Sequence, residues 1–346
     1  MKKVMIVGTL EDNNSSLSGP KRVFRSIIEN INQATVDYKI INTNKYNTIH
    51  ILSKVITIKP DIINLFSFGR LNVLLIILAR ILGIKIIYTA HGIVKKERKL
   101  GSSLSKVHEL VERFTIHHVD KVVCVSEGLK EMFIDEYKIN ENNICVIPNA
   151  VSNDILTKQV DFNIFDKLNI SKEKKVLFTA CGSHKLKGIL ELVDIISKFN
   201  RDDIIFVVAG PKGNCHDLLL KYVDNKRIFY LGNLTLSELV SAYKNSYIYI
   251  QYSLYETFGL APFEAMSFGI PAIISENVQL KYLFKGNILE NNIVRQNDGV
   301  MLKSRINTLL DNKKQYSSLS QQSKFISKKV SWNYIIKNYE LLWNSI

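Results

Sequence analysis

The sequence predicts an α/β chain of two doubly wound domains that face each other across a cleft. Three observations carry this. Short apolar runs rich in β-branched residues alternate with amphipathic stretches, the alternation restarts once beyond a polar segment, and 346 residues suit two domains of ordinary size. Fully apolar strands between helices are what a parallel sheet covered on both faces requires. In the first half the strands are expected at 4–8, 37–41, 61–66, 85–89, 121–125 and 144–147, with amphipathic helices such as 21–31 and 103–117 between them. The stretch 71–82 is the most apolar, but its twelve residues are too few for a bilayer, which needs about 20. With Arg80 inside it, this stretch reads as a buried core helix.

The polar, irregular segment 154–174 reads as the connection, which gives domains 1–165 and 166–330. Beyond it the strands are expected at 175–180, 204–209, 227–231, 247–251 and 271–274. The final segment has Trp332, Ile335, Ile336, Tyr339, Leu342 and Trp343 at helical spacing, so 331–346 is expected to pack as a helix back on the first domain. Ligands of doubly wound sheets bind at the carboxyl ends of the strands, and two facing sheets bring those ends to a shared cleft.

Composition excludes several classes. Apolar residues at 46%, with 16 Gly and 6 Pro, exclude a disordered chain and a multi-span membrane protein. The four cysteines form no C-x-x-C pair and no zinc spacing, so they read as structural thiols in a reducing cytosol. The start, Met1-Lys2-Lys3 and an apolar run closed by Glu11 and Asp12, reads as a buried strand rather than a signal peptide. Lys and Arg number 46 against 32 acidic residues, a balance of +14. Residues 1–165 hold 22 basic and 16 acidic residues (+6) and the remainder 24 and 16 (+8), so no basic arm for nucleic acid stands out. The nearest cluster is Lys95, Lys96, Arg98 and Lys99.

Two segments carry chemistry. From Ser253 to Pro271 a strand end runs through Glu256, Phe258, Gly259 and Leu260 into a helix whose start Pro262 sets near Ala261. Backbone N–H groups at that start make a phosphate-ready turn. Glu264 is expected in the first turn, kept ionised by the helix dipole and able to accept two hydrogen bonds from a vicinal diol such as a ribose. Cys181-Gly182-Ser183-His184-Lys185-Leu186-Lys187-Gly188 links another buried strand to a helix. Gly182 gives backbone access and Lys187 a point charge, which is phosphate chemistry without a P-loop. The chain has no D-x-D pair for a metal-held diphosphate, so lysines, helix starts and amides must meet that charge. In the first half, 14–20 is a turn at the mouth of the cleft, and His91 stands at a strand end before Gly92, where ligand contacts collect.

Together these segments resemble the retaining glycosyltransferase family 4, of the two-Rossmann-domain GT-B type. The E-x7-E motif is Glu256 and Glu264, followed by Gly269-Ile270-Pro271. Pro60-Asp61-Ile62-Ile63, Thr89-Ala90-His91, Val123 to Ser126, Val146 to Asn149, Lys187-Gly188, Ala209-Gly210-Pro211 and Leu231-Gly232 match in family order along nearly the whole chain.

The resemblance implies a hexosyltransferase that takes a UDP- or GDP-linked sugar as donor, with no cofactor and no metal. It implies catalytic roles for Glu256, His91 and Lys187: Glu256 beside the donor sugar, Lys187 neutralising the diphosphate. Glu264 holds the ribose; Phe258, Gly259 and Leu260 approach the sugar and phosphates; Gly182, Ser183, His184 and Lys185 belong to the phosphate loop; Gly19 and His91 close over the sugar. Retention is implied to run by front-face attack, with a covalent Glu256 intermediate as the older alternative. The implied acceptor is a growing cell-surface glycan of lipopolysaccharide, O-antigen or capsule type on a polyprenyl diphosphate. The implied place is the bacterial cytoplasm, with peripheral contact to the anionic inner face of the membrane. Three positions depart from the family: Ser183 stands where an Arg is common, with His184 or Lys185 as replacement charge; Ser18-Gly19 replaces Gly-Gly; and Asn149-Ala150 replaces Asn-Gly. An epimerase of GT-B fold, or a non-catalytic nucleotide-sugar binder, would use the same residues.

Overall fold

The structure, a computed structural model, describes residues 2–10, 19–31, 36–66, 68–171 and 173–346. By contacts the chain divides into two compact units, Met1–Ser152 with Val330–Ile346, and Asn153–Lys329.

The first unit runs β1 (Lys3–Gly8), α1 (Gly19–Asn30), β2 (Asp37–Asn42), α2 (Thr48–Ile58), β3 (Ile62–Leu65), α3 (Arg70–Leu82), β4 (Lys85–Ala90), α4 (Val94–Lys99), α5 (Lys106–His118), β5 (Lys121–Cys124), α6 (Glu127–Tyr137) and β6 (Ile144–Val146). All six strands are parallel, in the order β2-β1-β3-β4-β5-β6. The chain steps one way from β1 to β2 and the other way thereafter. Right-handed crossovers therefore put α1 on one face and α2, α3, α5 and α6 on the other. Val4–Val7 and Ile62–Leu65 are buried along their whole length, as strands covered on both sides must be.

The helices end where the sequence punctuates them. Asn47 caps α2 by accepting from the His50 N–H at 2.8 Å, and Gly83 (φ +69°) closes α3 in the left-handed region. One expectation needs correction: α3 is not a core helix. Asn72, Leu75, Ile76 and Ala79 are buried, but Leu74, Ile77 and Ile81 face outward. A crossover helix has the sheet on one side only, so its 3.6-residue period leaves a stripe outside whatever that stripe is made of. Arg80 settles at the surface, donating to the His118 carbonyl at 2.8 Å and lying 3.5 Å from Asp120.

The second unit runs α7 (Asn153–Thr157), β7 (Lys175–Thr179), α8 (Ile189–Ser197), β8 (Ile204–Val208), α9 (His216–Leu220), β9 (Ile228–Tyr230), α10 (Leu236–Asn245), β10 (Ile248–Gln251), α11 (Leu260–Ser267), β11 (Ala272–Ser275), α12 (Lys281–Phe284), β12 (Ile293–Val294), α13 (Gly299–Asp311) and α14 (Lys313–Lys329). Its strands are again all parallel, ordered β12-β11-β10-β7-β8-β9. The two-residue β12 has no hydrophobic run long enough to announce it in the sequence. By contacts the segment 154–174 goes with this unit. Ile164 and Phe165 are buried, Phe165 meets Phe178 with ring centres 6.2 Å apart, and the Ile164 N–H donates to Ser241 Oγ at 2.9 Å.

The last helix, α15 (Trp332–Ser345), lies against α1 in the first unit. Trp343 Nε1 donates to Asn64 Oδ1 at 2.9 Å, and Asn64 Nδ2 donates to Thr89 Oγ1 at 3.1 Å, all buried. Among the described residues no helix is long and apolar enough to cross a membrane.

Candidate active site

Strand order marks a candidate site in the second unit. The chain steps from β7 to β8 and β9 on one side, and from β10 onward on the other. The switch point is thus between β7 and β10, where doubly wound sheets leave a crevice at the carboxyl ends. The two segments singled out in the sequence leave the sheet there.

The loop after β7 is locked to the loop after β8. Gly182 (φ +65°) donates from its N–H to the Ala209 carbonyl at 2.8 Å, and a Cβ there would stand 2.5 Å from the Pro211 carbonyl oxygen. Only glycine allows that approach. Ser183 is fully buried; its Oγ accepts from the Gly213 N–H at 2.8 Å and lies 3.3 Å from His216 Nδ1. His216 in turn packs on Tyr230, with ring centres 5.1 Å apart, and the Tyr230 hydroxyl donates to the Gly210 carbonyl at 2.7 Å. The sequence reading passed over His216 and Tyr230, because their role depends on partners far away in the chain. Burial and the charge of Lys187 hold the His184 pKa below its ordinary value. His184 is half-buried, whereas Lys185 is exposed.

Lys187 and Glu256 come together. Lys187 ends a single 3-10 turn, Lys185–Lys187, and Gly188 (φ +61°) then passes so close to the end of β10 that a Cβ would lie 2.1 Å from the Tyr252 carbonyl oxygen. The Leu254 N–H donates to the Leu186 carbonyl at 2.9 Å, tying the two loops. Lys187 Nζ then reaches Glu256 Oε2 at 2.5 Å, with both side chains largely sheltered. Beneath them runs a buried polar chain. Tyr249 Oη accepts from the Ala180 N–H and donates to Gln251 Oε1, Gln251 Nε2 donates to Ser253 Oγ at 2.6 Å, and Ser275 Oγ donates to the Ser253 carbonyl at 2.6 Å. A satisfied network of this kind stiffens the floor of a site.

Phe258 is buried edge-to-face on Phe263, with ring centres 5.6 Å apart. Gly259 (φ +107°) turns the chain into α11, whose first residue is Leu260. The N–H groups of a helix's first turn have no partner within the helix and favour anions. Here the expectation for Glu264 is corrected. The helix starts one residue earlier than Pro262 suggests, so Glu264 sits in the second turn, where the dipole has largely faded. Glu264 is buried and accepts a hydrogen bond from the Tyr243 hydroxyl at 2.8 Å.

In the first unit, Gly19 opens α1 and residues 14–18 lie outside the described residues. His91 follows β4 and lines a cavity of about 300 Å³ with Lys21, Phe24, Phe66, Tyr88 and Glu97. Burial lowers its pKa to about 4, so the imidazole is neutral at pH 7. Gly92 makes room for Glu97, whose Oε1 lies 2.0 Å from where a Cβ would stand. Glu112, on the same cavity, is buried; it accepts from the Val94 N–H at 2.9 Å and from the Tyr137 hydroxyl, and desolvation raises its pKa to about 7. An acid on the inward stripe of α5, level with Thr115 and Ile116, was the signal for it. Within the basic cluster, Lys95 pairs with Glu136, and Arg98 with Glu109 at 2.9 Å. Among the described residues no group of three or more His, Cys, Asp or Glu side chains could hold a metal ion.

Known families match both halves. Residues 17–154 fit the model described as Glycosyltransferase Family 4, and 160–325 fit Glycosyl transferases group 1. The chain belongs to glycosyltransferase family 4. This glycosyltransferase is 27% identical over 282 residues to the UDP-Gal:alpha-D-GlcNAc-diphosphoundecaprenol alpha-1,3-galactosyltransferase of Escherichia coli, covering 77% of this chain and 68% of that protein. It is 24% identical over 300 residues to the phosphatidylinositol N-acetylglucosaminyltransferase gpi3 subunit of Schizosaccharomyces pombe, covering 84% and 63%. The chain thus spans about two thirds of these relatives' length. Among solved structures it resembles sucrose-phosphate synthase of Thermosynechococcus elongatus, with TM-score 0.81, 15% identity and 100% and 99% of the two chains covered. It also resembles Anabaena HepE in complex with UDP and glucose, with TM-score 0.74, 14% identity and both chains covered in full. The fold of the glycosyltransferase is therefore GT-B.

Proposed function

We propose that this glycosyltransferase moves a hexose, with retention and without a metal, from a nucleoside-diphosphate sugar to a hydroxyl of a growing cell-surface glycan carried on a polyprenyl diphosphate. It would work at the inner face of a bacterial cytoplasmic membrane. The observation that carries the reading is the Lys187–Glu256 pair at the β7/β10 switch point, beside the start of α11.

In this reading Lys187 and the first amides of α11 take the two phosphates, so the charge that develops on the departing diphosphate meets groups already in place. The bond from the anomeric carbon to the phosphate oxygen breaks, the acceptor oxygen bonds to the same face of that carbon, and the acceptor proton passes to the departing phosphate oxygen. Glu256 holds hydroxyls of the donor sugar and Glu264 the ribose. The first unit's cavity, with its aromatic walls, neutral His91 and Glu97, suits acceptor hydroxyls. The acceptor in the name of the Escherichia coli relative, a diphosphoundecaprenol-linked GlcNAc, supports the class of acceptor.

The test is a thermal-shift screen against UDP- and GDP-linked sugars, since a ligand that binds only the native state raises Tm. Transfer is then measured with the donor that binds, in EDTA. One nucleotide sugar should raise Tm, transfer should survive EDTA, and the product should keep the anomeric configuration. Turnover of the donor without acceptor, as in an epimerase, or complete loss of transfer in EDTA, would overturn the reading.

A further inference from the structure

The helix α4 begins two residues after Gly92 and carries Glu97 to the wall of the first unit's cavity, where His91 also lies. Its six residues are too few for a helix to hold itself in water. Its N-cap position is Ile93, whose side chain has no acceptor for a first-turn amide. The acceptor comes from another helix. Glu112 of α5 takes the Val94 N–H on Oε2 at 2.9 Å, and the same oxygen accepts from the Tyr137 hydroxyl of α6. Two ion pairs add to this hold on α4, Lys95 with Glu136 of α6 and Arg98 with Glu109 of α5 at 2.9 Å. Their side chains are partly exposed, whereas Glu112 is 1% exposed and bonds the backbone itself. Of the three acids that hold α4, Glu112 is therefore the one that fixes where the helix starts.

An acid in this place does what a neutral side chain would not. The titratable and charged groups around it are Tyr88 of β4, Glu97 of α4, Glu109 on its own helix, and Tyr137 and Glu136 of α6. His91 and Lys21 of α1 line the same cavity. Burial favours the neutral acid, and Glu97 and Glu109 add to that, while the Tyr137 hydroxyl and the Val94 amide favour the carboxylate; the balance falls at about 7. As a carboxylate Glu112 holds its two donors by charge-assisted bonds, and as an acid by weaker ones. The cost of burying the charge falls on the whole fold, but the two bonds it strengthens are local to α4 and α6.

We propose that Glu112 is the positioning residue of the His91–Glu97 segment: it caps α4 from a neighbouring helix and so sets His91 and Glu97 at the cavity wall for the acceptor. Its grip tightens as the carboxylate forms, so the enzyme uses its acceptor better as pH rises through neutrality. Glu112 acts through α4 and not by contact with the reacting atoms. The role in acceptor binding rests on the reading of the cavity given above. Amide exchange reads the cap with neither donor nor acceptor, so the two fail separately.

The experiment measures hydrogen exchange of residues 93–99 in the full chain from pH 6 to pH 8, corrected for the intrinsic base catalysis of exchange. Acceptor KM is measured over the same range at saturating donor. In the wild type, protection should rise and acceptor KM fall, each about fivefold, through neutral pH. Glu112→Gln keeps the shape and an acceptor oxygen without the charge. In it both profiles should stay flat at their low-pH values, with the Kd for UDP at the wild-type value. Tyr137→Phe removes a donor that favours the carboxylate, so the midpoint of both profiles should move to higher pH, which a loss of packing alone would not do. Wild-type protection in Glu112→Gln at pH 8, or a wild-type pH profile of its acceptor KM, would overturn the inference. So would a weakened Kd for UDP in that variant, which marks a general loosening of the fold. An exchange step that Glu112→Gln removes, in a protein that transfers to no acceptor, would support the cap and strike the function proposed above.

Discussion

Neutralising Glu256 should tighten the binding of a free nucleoside diphosphate even as it removes transfer. Without donor, the Lys187 ammonium is held by Glu256 at 2.5 Å. A phosphate oxygen bound to the same ammonium at about 2.8 Å would leave two anions roughly 4–5 Å apart. Their repulsion is about 1 kcal/mol at the dielectric of water and about 4 kcal/mol at an effective dielectric of 20. The side chains are 31% and 20% exposed, so screening favours the lower end. Glu256→Gln should therefore lower the Kd for UDP or GDP about fivefold. Lys187→Ala does the reverse: it removes a charge-assisted hydrogen bond of about 1.5–3 kcal/mol, which raises Kd by roughly 10–100-fold. In the double variant the two effects should not add, because both act through one ammonium. Isothermal titration at fixed salt measures all four proteins. Weaker nucleotide binding by Glu256→Gln than by wild type would refute the competition and, with it, the placement of the phosphates on Lys187.

Gly188→Ala should cost more than 2 kcal/mol of stability and abolish donor binding, since its Cβ meets the Tyr252 carbonyl, while Gly232→Ala, left-handed (φ +68°) but with nothing within 4 Å, should cost about 1–2 kcal/mol; urea titration of both variants tells clash from conformation. Glu112→Gln should flatten a pH dependence. The folded-state pKa of about 7 lies above the ordinary glutamate value of about 4.3, so the protonated acid stabilises the fold below that ordinary value and the benefit is lost as pH rises through 7, by at most about 3 kcal/mol. Unfolding at pH 5 and pH 8 should show the variant gaining on wild type as pH rises, and parallel curves would disprove the raised pKa. Trp343→Phe should cost about 1–3 kcal/mol, because the buried Asn64 Oδ1 loses its donor; a Tm equal to wild type would contradict that bond.

The strands were legible because burial on both faces leaves no room for polar alternation; Ile62–Leu65 is the plain case. The tight turns at the strand ends were legible because glycines there mark left-handed backbone, and Gly182, Gly188 and Gly259 all adopt positive φ. What the sequence hid was direction and distance. The periodicity of α3 tells that a stripe faces the sheet but not that the opposite stripe, just as apolar, is left outside. The start of α11 could be inferred from Pro262 only to within a residue, and one residue moved Glu264 out of the first turn. Ser183 reads as a weakened phosphate contact, yet the structure gives its hydroxyl to Gly213 and His216, some thirty positions on. Buried Glu112 depends on Tyr137 and Val94, which lie in other helices.

The first unit is made from both ends of the described chain, Met1–Ser152 and Val330–Ile346, and the second is inserted between them. Chain synthesis runs from the N-terminus and domains fold as units while it proceeds. The six strands of the first sheet therefore leave the ribosome long before the helix that covers them. Asn64 waits with its carbonyl unmatched until Trp343 arrives, and by then the whole of Asn153–Lys329 has been made. The sheet made before the second unit is thus closed only after that unit has been made.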